Sequence, residues 1–88
     1  MIAGINPQAF TGDFNNMNVG FYFVQQDCEN QPVPYSTYSS PYSVYCLPRL
    51  NATGPMKVQI ANVIGHIFVR TQYASSWQNW IELAWKTQ

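Results

Sequence analysis

At 88 residues the chain is long enough for one hydrophobic core and too short for two. Only 9% of its residues are charged, four basic against four acidic, for a formal net charge of zero; ordinary globular domains carry roughly 25%. Arg49, Lys57, Arg70 and Lys86 are scattered, so the clustered cations that a phosphate backbone requires are missing and a nucleic-acid partner is excluded.

Polarity comes instead from eight Asn, eight Gln and many hydroxyls, beside an aromatic content of 16%. A neutral surface of amides and aromatics suits either a subunit interface or a sugar-binding face. No segment is long enough to span a membrane as a helix. Met1 to Ile5 lacks the basic region and apolar run of a secretory signal peptide. Cys28 and Cys46 allow a bridge, if the protein matures in an oxidising compartment, or two small, partly buried thiols.

Residues 1–12, with Pro7 and Gly12, read as an irregular lead-in, and residues 13–88 as a single domain. Asp13-Phe14-Asn15-Asn16-Met17 is expected to form a short helix, capped by Asp13 or Thr11 and ended by Asn18 and Gly20. Phe21 to Gln25 is the first clear strand. Pro32, Pro34 and Pro41 forbid a central strand between them, which leaves a loop rich in Tyr and Ser. Tyr42 to Leu47 resumes strand alternation up to Pro48, and Asn51 to Pro55 is a turn.

From Met56 to Asn62 the chain alternates, with Met56, Val58 and Ile60 on one face and Lys57, Gln59 and Ala61 on the other. Gly65 opens the next strand, with Ile67 and Val69 opposed to His66, Phe68 and Arg70. Tyr73 to Ser76 turns the chain into a last strand from Trp80 to Trp85, although Trp77, Trp80, Ile81 and Trp85 also fit helical spacing. The expected fold is α+β but mainly β, a small antiparallel meander with one short N-terminal helix.

Five elements follow one another in order: Asp13-Phe14-Asn15-Asn16-Met17, Gly20-Phe21-Tyr22, Val58-Gln59-Ile60, Gly65-His66-Ile67-Phe68-Val69-Arg70-Thr71 and Trp77-Gln78-Asn79-Trp80. Together they resemble the C-terminal signature of the pyocin-knob family, the small domain at the tips of phage tail fibres and R-type pyocins. The resemblance covers residues 13 to 85. It implies a knob at a fibre tip, made in the bacterial cytoplasm, assembled as a homotrimer and recognising a host receptor through surface glycans. It marks Gly20, Tyr22, Gly65, Arg70, Trp77 and Trp80 as the structural motif.

The residues carry roles of their own. Gly20 and Gly65 stand where a turn hands over to a strand and where positive φ or close backbone approach is needed. Arg70 is near enough in sequence to Trp77 and Trp80 for its guanidinium to stack on an indole. Tyr35, Tyr38, Tyr42 and Tyr45, interleaved with Ser, form the candidate ligand surface, because Tyr gives contact area at low entropic cost and Ser adapts. The competing assignment puts these rings over the core or at a subunit contact. The three tryptophans offer a sugar platform or core packing.

Nothing in the chain marks an enzyme. It has no G-x-S-x-G and no phosphate loop, and His66 has no His or Cys partner at metal-ligand spacing, so neither metal nor cofactor is expected. Asp27 and Glu29 are the one close carboxylate pair that glycoside cleavage could use, in a domain too small for a deep cleft. The readings left open are a receptor-binding tip, a structural cap that ends or trimerises a fibre, and a free-standing lectin-like module.

Overall fold

A computed structural model of the chain describes residues 7–37, 40–48, 57–73 and 76–83. Tyr38, Trp85 and the turn expected over Asn51 to Pro55 lie outside the described residues. The fold is mainly β: one twisted sheet built from β1 (Gln8–Ala9), β2 (Gly20–Val24), β3 (Tyr42–Pro48), β4 (Lys57–Val63), β5 (His66–Tyr73), β6 (Ser76–Trp77) and β7 (Ile81–Leu83). Strands β2 to β5 follow one another across the sheet as an antiparallel meander. Each is rich in β-branched and aromatic residues, which pack well on a pleated surface. No helix among the described residues is long and apolar enough to cross a membrane.

Two N-terminal features differ from expectation. Within the segment read as an irregular lead-in, Gln8 and Ala9 pair in parallel with Tyr22 and Phe23, and Phe10 packs against the core. The helix expected from Asp13 to Met17 is not formed; a single 3₁₀ turn, Phe14–Asn16, takes its place. The Asp13 carboxylate accepts from Asn15 N at 2.9 Å as an N-cap, so the turn starts as expected but does not propagate. Met17 is already extended, at φ −67° and ψ 132°. That single turn delivers Phe14 and Met17 to the sheet together, both 0% exposed, and each such burial contributes roughly 1.5–3 kcal/mol.

The inner face of the sheet carries Val24, Tyr42, Val44, Cys46, Ala61 and Phe68, and the N-terminal segment lies across it. The cover is sewn down by backbone bonds: Phe14 N donates to Glu29 O and Glu29 N to Gly12 O. On β4 the burial runs against the apolar pattern. Gln59 and Ala61 face inward and are buried, whereas Val58 and Ile60 face outward and are only half-buried. Strand β5 agrees, with Phe68 and Arg70 buried and Ile67 and Val69 half-buried. Between β4 and β5, Ile64 and Gly65 form a two-residue turn with positive φ at both, 35° and 75°.

A single irregularity shapes the far edge. Gln72 faces Trp77, and Val69 faces Ile81. Three steps along β5 therefore correspond to four along the returning strand, leaving one extra residue opposite Arg70. This is a β-bulge, which re-aims side chains and bends its strand. Trp77 and Trp80 are three apart and would point to opposite faces of a regular strand. The bulge turns both inward.

Candidate ligand-binding cleft

Arg70 is the centre of this edge. It is only 5% exposed, and its Nε donates to Gln59 Oε1 at 2.8 Å. The other end of the Gln59 amide donates to Phe14 O at 2.7 Å, so one buried side chain joins the covering turn to the arginine. The guanidinium carbon lies 4.4 Å from the ring centroid of Trp77 and 4.8 Å from that of Trp80, close enough for the cation to be held by both π-faces. Burial pushes the Arg70 pKa down to about 10, against a smaller opposing pull from Asp13.

Both indoles are fixed by their N–H groups. Trp77 Nε1 donates to Asn15 O at 3.2 Å and Trp80 Nε1 to Asn30 O at 2.8 Å. Asn30 holds a left-handed conformation, φ 60°, which Asn tolerates better than most residues. Its Nδ2 donates to Asp13 Oδ1 at 2.8 Å. That bond, with the one from Asn15 N, holds the Asp13 carboxyl below its usual range. The tryptophans thus close on the N-terminal cover, and Trp80 also meets the Phe14 ring edge-on at 6.1 Å.

Between these parts opens a cleft of about 560 Å³. Asn15, Asn16 and Asn30 line it from the cover, Gln72, Gln78 and Asn79 from the sheet edge, with Arg70 and the two indoles between. No carboxylate among the described residues lines it. Two of the lining residues each keep a buried atom, Arg70 Nη2 and Gln72 Oε1, without a hydrogen-bond partner among the described residues. One is a donor and the other an acceptor.

Of the tyrosines named from the sequence, Tyr35, Tyr42 and Tyr45 do not share a surface. Tyr42 is buried on the inner face, its hydroxyl 3.4 Å from Gln31 Nε2, and burial raises its pKa well above the ordinary value. Tyr45 lies on the outer face, stacked on Phe21 with ring centroids 4.6 Å apart. Tyr35 is half-buried against the core, its backbone N–H donating to Asp27 Oδ1 at 2.6 Å. Asp27 and Glu29 are outside the cleft lining. His66 Nδ1 is 2.6 Å from Glu82 Oε2, linking β5 to β7.

Of the motif residues, Tyr22 donates its hydroxyl to Asn18 O at 2.9 Å, and its side chain lies against Gly20, where a Cβ would come within 3.3 Å of the hydroxyl oxygen and 3.4 Å of the ring. Cys28 and Cys46 are free thiols, close to Phe10 O and Met17 O respectively. The cleft amides at positions 15, 16, 30 and 72 escaped the sequence reading because they are distant along the chain. Only the overall excess of Asn and Gln pointed to them. Comparison with protein-family models, curated proteins and solved structures gives no match to this chain.

Proposed function

We propose that the protein is a non-catalytic recognition module, a knob-type domain of a phage or prophage-derived tail fibre, whose Arg70–Trp77–Trp80 cleft holds a bacterial surface glycan. One observation carries this reading: a cleft walled by Asn and Gln side chains next to two indoles. A sugar hydroxyl both donates and accepts, and a side-chain amide offers a partner for each role. Aromatic faces beside amides suit the apolar and polar sides of a pyranose ring. The fibre context, the tip location and assembly from several copies rest on the resemblance in the motif residues.

The test is an NMR titration of the indole N–H signals and side-chain amides against a panel of bacterial surface polysaccharides. Shifts are expected at Trp77, Trp80, Asn15 and Asn79, and their loss in Trp77→Ala with an otherwise native amide spectrum. A folded sample that shows no shift across the panel would leave the structural cap as the better reading. Shifts confined to Tyr35 and its neighbours would move the ligand to the tyrosine loop.

A further inference from the structure

The outward side of the sheet is built as though it were a core. The cross-strand register sets Phe21 beside Tyr45, Tyr45 beside Ile60, Ile60 beside Val69 and Val69 beside Ile81, an unbroken apolar row over five strands. Leu47 and Val58 flank the row on one side and end at Thr71, while Phe23, Ile67 and Leu83 flank it on the other with Ser43 and Asn62 between them. Much of it meets solvent: Tyr45 is 38%, Leu47 43%, Leu83 46% and Ile81 61% exposed. The charges go the other way. Lys57, His66, Arg70 and Glu82 all hold inward positions, and no outward position of β2, β3, β4, β5 or β7 is charged. A solvated sheet face normally alternates polar-out, and a stable domain closes its sheet with a second layer. The described residues supply that layer on the inner side only.

We propose that a second copy of this chain covers the outer face, stacked sheet on sheet about a two-fold axis near Ile60. The row is graded, with aromatic Phe21 and Tyr45 at one end and aliphatic Val69 and Ile81 at the other. A two-fold axis running along the strand direction lays the bulky end of one copy over the slimmer end of its partner, the large-against-small arrangement that packs without voids. Five strands at about 4.8 Å and three side-chain rows give a footprint of about 20 by 24 Å per copy. Pairing two such faces removes about 1,000 Å² in total, the floor for a specific interface. An uncharged face also matches only an uncharged partner, and the same face on another copy meets that condition. The homotrimer implied by the resemblance is the competing arrangement.

Sedimentation equilibrium of the full chain over a range of concentrations tests the pairing. The expected result is a reversible two-chain species. Ile81→Lys, at a position exposed enough to leave folding intact, should weaken association by about tenfold or more, since the interface would have to bury an unpaired charge. Ile60→Lys, with charges meeting at the axis, should weaken it further while the amide spectrum stays native. A monomer at all concentrations, a three-chain mass, or dimerisation unchanged in Ile81→Lys would overturn the proposal. Glycan binding in the cleft is on the opposite face, so its presence or absence is read separately in the same variants.

Discussion

Gln59 and Arg70 face each other across β4 and β5, and Arg70 Nε donates to Gln59 Oε1 at 2.8 Å where almost no solvent reaches either side chain. No carboxylate is hydrogen-bonded to this guanidinium among the described residues; a neutral amide and two indole faces hold it. Because the same amide also binds Phe14 O, it anchors the covering turn to the sheet.

Replacing that amide should therefore be disproportionately harmful. Gln59→Leu keeps the volume but strands both a buried cation and a buried carbonyl. We expect a loss of about 3 kcal/mol in urea unfolding, since removing one partner exposes the full desolvation cost of the other. A loss under about 1 kcal/mol, the worth of an ordinary exposed pair, would show that Arg70 is held by the tryptophans alone.

The bulge makes a sharper claim about chain length. Deleting Asn79 removes the one surplus residue, so β6 and β7 would run on in a single register with both tryptophans still inward and Ile81 still outward. The expected outcome is a folded protein with a native-like pattern of amide signals for β2 to β5. Deleting Thr71 from the regular ladder shifts every residue beyond it to the wrong face, and that variant should not fold. Equal damage from the two deletions would contradict the register assigned here.

Ile64 carries strain that can be relieved. It is β-branched, 54% exposed and held at φ 35° in the two-residue turn before Gly65. A non-glycine residue in this region costs of order 1–3 kcal/mol, and Asn-Gly is the pair such turns favour. Ile64→Asn should raise the urea midpoint by the equivalent of about 1 kcal/mol. Gly65→Ala, with φ 75° at that position, should lower it.

How far the fold could be read from the sequence depended on the range of each signal. Strands β2 to β5 were legible because period-two alternation is local, and so was the meander, because tight turns join neighbours. Which face would be buried was not legible. The stacking of Arg70 on Trp77 and Trp80 was within reach of the sequence, but Gln59 goes inward because it meets Arg70 and Phe14 O, and Phe14 is 45 residues away. The helical spacing of Trp77 and Trp80 was ambiguous for a definite reason: an offset of three shares a face on a helix, and also on a strand with one bulged residue. Separation of Tyr42 from Tyr45, three apart on one strand, was implicit in the same period-two rule. The helix at residues 13–17 misled because Asp13 does act as N-cap, while Asn15 and Asn16 are weak helix formers and Met17 is already extended.

The buried thiol and phenol make stability sensitive to alkali. Burial raises the Cys46 pKa above its ordinary 9.0, and raises Tyr42 more strongly above its ordinary 10.0. The unfolded chain therefore releases protons that the folded protein keeps, so unfolding becomes easier as pH rises from about 9 through 10. Arg70 acts in the other direction, because its folded pKa of about 10 lies below the ordinary 12.5. Its penalty is relieved only above pH 10, after the thiol and phenol have begun to act. Urea midpoints should hold steady near neutrality and decline from pH 9 upward. The Cys28 and Tyr22 pKa values are raised by burial as well, so Cys46→Ala, compared by slope and not by absolute midpoint, should make the decline shallower without abolishing it. A flat profile between pH 7 and 10 would mean that neither Cys46 nor Tyr42 is shielded from water as its position on the inner face requires.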